Sequence, residues 1–129
     1  MTEVDGGGMH YSEGKLRMDL IPPLWKRALA EVLTYGAKKY DDHNWLRGMK
    51  YSELQGSVER HWLAWQEGEE LDAESGLPHL AHMAVDVLML LLYTQGAEYQ
   101  QFDDRRFKRK ALALGSADLS TTRSTSCLT

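Results

Sequence analysis

The chain has 129 residues, 43% of them hydrophobic and 26% charged, with a formal net charge of −4, the size and balance of one globular domain with its own core. The acidic balance excludes a general attraction to phosphate backbones or anionic bilayers, so neither nucleic acid nor membrane is expected as a partner. The single cysteine, Cys127, excludes an intramolecular disulfide and fits a reducing compartment.

In chain order, residues 1–14 are glycine-rich and aperiodic, and read as a flexible arm. Residues 15–23 (KLRMDLIPP) are extended, because the Pro22–Pro23 pair disfavours helix before it and suits a helix's first turn. From Leu24 the apolar positions Ala28, Leu29, Val32 and Leu33 recur at helical spacing, predicting a first helix that ends near Gly36 or runs on to Tyr40. A polar loop with Trp45 embedded in it follows. Ser52 is placed to N-cap a second helix, with Gly68 just beyond its end. An acidic connection, residues 69–76 (EELDAESG), reads as solvated, with Asp72 or Ser75 as a cap. Pro78 opens a third helix through Tyr93 or beyond, apolar over most of its surface and so expected to be buried almost all round. Residues 105–114 suggest a last amphipathic helix, and the Ser/Thr-rich residues 115–129 a disordered tail. No strand-like alternation occurs. The expected class is all-α, with residues 15–114 as the domain. The most apolar stretch, residues 80–93, is too short to cross a bilayer and carries His82 and Asp86. With no basic-then-apolar leader at the start, a cytoplasmic location is expected.

The third helix carries the most informative chemistry. At about 100° per residue, His79, His82 and Asp86 fall on one face. Polar groups on a buried helix need partners, and a divalent metal is an economical one, since imidazole and carboxylate are ordinary ligands. A symmetric hairpin around the acidic connection places Glu59 opposite Asp86, and Trp62 or Leu63 opposite His82 or Met83. Two facing carboxylates repel unless a cation or a proton lies between them. Glu31 on the first helix is positioned to add an oxygen. The metal set is therefore Glu31, Glu59, His79, His82 and Asp86, with Glu59, Asp86 and His82 expected to carry the chemistry. Lys38, Lys39 and Arg60 are available to offset phosphate charge, although basic residues at a helix C-terminus also simply complement the macrodipole. Asn44 and Trp45 suit a base edge and a base face, or Trp45 is an anchor. His61, one turn from Trp65, either lines a pocket or packs against a neighbour. No nucleophile constellation or glycine-rich phosphate loop is present, which leaves a metal-activated water as the expected nucleophile.

Residues 15–23, 30–45 (AEVLTYGAKKYDDHNW), 60–82 (RHWLAWQEGEELDAESGLPHLAH) and the apolar helix after them together resemble the phage dATP/dGTP diphosphohydrolase family. That family is related to the MazG-like all-α nucleotide pyrophosphohydrolases. Within it the resemblance is greatest to the MazZ branch, carried by phages that replace adenine with 2-aminoadenine. The resemblance implies a MazG-like four-helix bundle, a homodimer or homotetramer, and Mg2+ or Mn2+. It implies water attack on the α-phosphorus of a nucleoside triphosphate, with (d)GTP giving (d)GMP and pyrophosphate. The wider MazG-like pattern pairs E-x-x-E on one helix with E-x-x-D on the next. Here Glu59 and Asp86 fill two of those positions, while Trp62 and Met83 occupy the others. Alternatives are a dATP or broad-range pyrophosphohydrolase, an HD-type phosphohydrolase, and a helical nucleotide-binding or assembly protein. Against the HD type, no histidine here is followed by aspartate.

Overall fold

The computed structural model describes residues 6–11 and 13–109. Among them the regular structure is helical: α1 (Pro23–Lys39), α2 (Tyr51–Gln66) and α3 (His79–Gln95). Short 3₁₀ turns lie at Met18–Leu20, Asn44–Arg47 and Ala97–Phe102. One isolated antiparallel bridge joins Leu71 to Pro78. The all-α expectation holds. Most of residues 1–14 and the start of the expected last helix are described without helix, since residues 105–109 are irregular. The remainder of that helix and residues 115–129 lie outside the described residues.

Local chemistry accounts for most boundaries. Pro23 occupies the first position of α1, where its missing N–H costs nothing. The helix passes through Gly36 and ends where the Tyr40 N–H bonds the Gly36 carbonyl. α2 ends at Gln66, and Gly68, two residues on, turns the chain away with a φ of +95° that suits glycine. The start of α2 corrects an expectation. Ser52 lies inside the first turn, and its N–H and hydroxyl both bond the Asp104 carboxylate. The orphan donor is satisfied from the far end of the described chain instead of by a local cap.

α3 is the central element: it packs against α2 and, less extensively, against α1, while α1 and α2 barely touch. One core cluster joins Tyr51, Leu54, Tyr93 and Tyr99; a second joins Val32, Ala81 and Val85; Met89 packs against both. Burial of α3 is one-sided, contrary to the expectation from its composition. Leu80, Val87, Leu88 and Leu91 remain exposed, Leu91 at 55%, because α1 and α2 cover only the flanks that face them.

Two tyrosine hydroxyls fix the loop between α1 and α2. Tyr93 donates to the carbonyl of Trp45, and Tyr99 donates to that of Leu46 at 2.7 Å. Gly48 then turns the chain with φ +94° and ψ 147°, a region that is essentially glycine-only. A Cβ there would lie 2.2 Å from the Phe102 ring. Gly48→Ala is therefore expected to destabilise the fold by about 2 kcal/mol or more. Gly36→Ala, on helical backbone with nothing within 4 Å of the new Cβ, should stabilise it by about 0.5 kcal/mol. Urea unfolding of both variants checks the pair, and equal midpoints would contradict this account of the loop.

Candidate active site

Because α1 and α2 diverge on either side of α3, a cleft of about 880 Å³ opens between them. α1 contributes Tyr35 and Lys39, the loop Asn44 and Trp45, α2 Ser57, Arg60 and His61, the acidic turn Asp72 and Glu74, and α3 His79, His82 and Asp86. The volume falls within the ordinary range of small-molecule sites.

Three imidazoles form its most ordered part. His61 Nδ1 and His79 Nδ1 are 2.8 Å apart, so a single proton is shared between two ring nitrogens. The His61 ring stacks on His82 with centroids 4.8 Å apart and planes 5° from parallel. His82 Nε2 bonds Ser75 Oγ at 2.7 Å, and Tyr35 meets the His82 ring edge-on. His79 is 4% exposed. Its Nε2 has no hydrogen bond, the nearby acceptor Glu69 Oε1 being 3.4 Å away.

The acidic connection is folded and not merely solvated. The Asp72 N–H bonds the Leu77 carbonyl at 2.8 Å, the Gly76 N–H bonds the Asp72 carbonyl, and the His79 N–H bonds the Glu70 carbonyl. This closed turn carries the half-buried Asp72 into the cleft, where its carboxylate accepts the Ser75 N–H. His61, Asp72 and His79 each present a ligand-type atom, all within 4.8 Å of one another. Burial alone raises the Asp72 carboxyl, but the Ser75 bonds and neighbouring imidazoles outweigh it and leave the group below its usual range. At the mouth, Lys39 Nζ bonds Glu74 Oε1 at 2.7 Å. That contact, with Tyr35, holds the Glu74 carboxyl down.

Asp86 lies deeper, and its Oδ2 is buried without a hydrogen bond. Burial pushes its carboxyl up, with Ser57, His82 and Arg60 pulling it partly back. Burial also lowers His61 and His82, reinforced by each one's imidazole neighbour, which favours neutral rings with lone pairs available.

The expected residues separate into two groups. His61, His79, His82, Asp86, Arg60, Lys39, Asn44 and Trp45 line one cleft; Glu31, Glu59 and Lys38 do not line it and are exposed. For Glu59 the physical reason is register. The second half of the connection closes on itself, so the hairpin is not a symmetric arc and α2 sits two residues out of the expected pairing. Ser57, not Glu59, faces Asp86, and His61, not Trp62 or Leu63, faces His82. The expected trio of His79, His82 and Asp86 is spread along α3, with His82 engaged by Ser75. The compact trio instead contains Asp72 and His61. Asp72 was hidden among three acidic neighbours, Glu69, Glu70 and Glu74; its signal was the Ser-Gly pair after it, which closes a turn onto His79.

These shifts give stability a defined pH response. The lowered His61 and His82 contribute stability that is complete above about pH 6.5 and is lost as pH falls through their folded values. The raised Asp86 contributes stability only below the ordinary carboxylate range and loses it as pH rises. In EDTA-treated protein the unfolding free energy should therefore fall between about pH 7.5 and pH 5.5. The His61→Asn/His82→Gln variant should show a smaller fall, and Asp86→Asn should be at least as stable as the parent at neutral pH. Denaturant titrations across that range check all three; a parent that gains stability on acidification would overturn the burial argument.

Residues 5–105 match the family model described as dATP/dGTP diphosphohydrolase, N-terminal. A dATP/dGTP diphosphohydrolase of Salmonella phage PMBT28 is 33% identical over 100 residues, which cover 78% of this chain and 33% of that protein. The chain thus spans about a third of the length of the curated relative it matches. No solved structure matches. On the family match over most of its length, the chain belongs to the dATP/dGTP diphosphohydrolase N-terminal domain family.

Proposed function

We propose that this chain hydrolyses a purine deoxynucleoside triphosphate to the monophosphate and pyrophosphate within the cleft between α1, α2 and α3. The observation that carries the reading is the convergence, in that cleft, of a His/Asp cluster, the cations Lys39 and Arg60, and Trp45. The family match and the relative's name supply the reaction class. Water adds to the α-phosphorus while the bond to the bridging oxygen breaks, so pyrophosphate leaves with that oxygen and the water's protons are released. Mg2+ or Mn2+ would neutralise the triphosphate and lower the water's pKa, and the imidazole and carboxylate donors of the cluster fit the Mn2+ class. Arg60 and Lys39 offset phosphate charge. Asn44 and Trp45 face the base, with Trp45 held in place by the Tyr93 hydroxyl.

The finer reading is that (d)GTP is the substrate and that the dGMP formed feeds 2-aminoadenine nucleotide synthesis in the cytoplasm of a phage-infected cell. It is supported by the motif resemblance over residues 15–23, 30–45 and 60–82. A homodimer or homotetramer is proposed as well. The exposed face of α3, with Leu80, Val87, Leu88 and Leu91, and the exposed Leu24 and Trp25 of α1 form apolar surface of the kind that oligomers cover.

Incubation with each dNTP and NTP, with Mg2+, Mn2+ or EDTA, tests the reaction. The expected products are dGMP and pyrophosphate, with no turnover in EDTA. Inorganic triphosphate plus nucleoside would favour the HD-type alternative, and binding without turnover a nucleotide-sensing module. Arg60→Ala should lower kcat/KM by about tenfold or more, the scale of a charge-assisted phosphate contact. Glu59→Ala should stay within about twofold of the parent, because its carboxylate lies outside the cleft; a Glu59→Ala variant without activity would restore it to the site.

A further inference from the structure

We infer that His61, Asp72 and His79 form a nitrogen-rich seat for one resident transition-metal ion of the Zn2+ class, in preference to Mg2+. The three come from three separate pieces of chain, and their ligand-type atoms already lie within 4.8 Å of one another. Ligands held at about 2.0–2.2 Å around a single ion stand roughly 3–4 Å apart, so rotamer adjustment alone closes the set. Each donor is carried by an ordered element: His61 by α2, His79 by the first turn of α3, Asp72 by the turn that three backbone bonds close.

A second, independent observation comes from the outer side of His79. This ring is 4% exposed, and its Nε2 is buried with no hydrogen bond, 3.4 Å from Glu69 Oε1. An ion on Nδ1 fixes the ring proton on Nε2 and aims it at that carboxylate, the imidazole–carboxylate pairing that metal-bound histidines ordinarily adopt. The Nδ1 to Nδ1 contact of 2.8 Å fits the same picture: two lone pairs face one another, and the shared proton is what an ion replaces. Ser75 plays the matching part for Asp72, holding one oxygen with its N–H at 2.9 Å. Two imidazoles and one carboxylate suit Zn2+, Co2+ and Mn2+, whereas Mg2+ prefers oxygen and retains its waters. Three protein ligands are also the number found in open sites rather than in closed structural ones, and all three line the cleft.

The inference rests on ligand geometry and not on hydrolysis, so it is tested on the metal-stripped 129-residue chain by Co2+ titration followed in visible absorption. One Co2+ per chain is expected, with d–d bands that Zn2+ abolishes and millimolar Mg2+ leaves intact. His61→Ala, Asp72→Ala and His79→Gln should each weaken Co2+ binding by about 100-fold, and Glu69→Gln by about tenfold. Absence of the bands, displacement by Mg2+, or unchanged affinity in the three ligand variants would overturn the assignment. Should a variant fail to fold, the parent alone suffices: Zn2+ must shift the ring 15N resonances of His61 and His79, and unshifted rings contradict the seat. Co2+ binding without nucleotide turnover would sink the proposed reaction alone, and turnover without Co2+ binding would sink only this seat.

Discussion

The register of α2 against α3 is held at both ends by ring stacking, and the cleft depends on that register. At the open end Tyr51 lies nearly parallel to Tyr93, with centroids 6.2 Å apart and planes 12° from parallel. At the turn end His61 lies on His82 at 4.8 Å. Aromatic side chains locked at two points along a helix pair leave little freedom to slide, because a shift of one residue rotates each ring by about 100° off its partner. With this register in place Ser57 meets Asp86 and His61 meets His79. Without it, the acidic turn has no imidazole to bring Asp72 against.

The same constraint explains why the cleft is both open and polar. α3 can serve two neighbours because apolar residues, Tyr93 in one cluster and Ala81 and Val85 in the other, flank the polar face that carries His79, His82 and Asp86. The space left between α1 and α2 is roofed by the loop that carries Asn44 and Trp45, and that loop is held by hydroxyls of Tyr93 and Tyr99 from the end of α3 and the 3₁₀ turn after it. Core packing and the geometry of the cleft are thus linked through the same tyrosines. Asp86 marks the stability cost of the arrangement: a carboxylate with a buried, unbonded oxygen is tolerated at functional sites and seldom elsewhere.

Helices were legible in the sequence because each has a periodic apolar stripe and clear punctuation at Pro23, Gly68 and Pro78. The polar face of α3 was legible too, since His79, His82 and Asp86 do reach the cleft. What periodicity could not supply was the shape of a connection. Residues 69–76 read as an acidic, solvated loop, yet backbone bonds from Asp72, Gly76 and His79 close it and move the hairpin's axis, leaving Glu59 outside the cleft and setting Asp72 beside His61 and His79. The Asp104 contact to Ser52 was equally out of reach, since a cap supplied from about fifty residues away leaves no local pattern. The exposed side of α3 shows the reverse limit: hydrophobicity indicates that a face needs covering, not what covers it.

On the proposed function, triphosphate and base occupy this one cleft, with the phosphates toward His61, Asp72 and His79 and the base toward Trp45. A crystal structure with a dGTP analogue whose α,β-bridging oxygen is replaced by an imido group tests it most directly. The expected result is phosphate density beside the histidine cluster within reach of Arg60, and the purine against the Trp45 side of the cleft. Nucleotide density on the exposed face of α3, or anywhere outside the cleft, would contradict it.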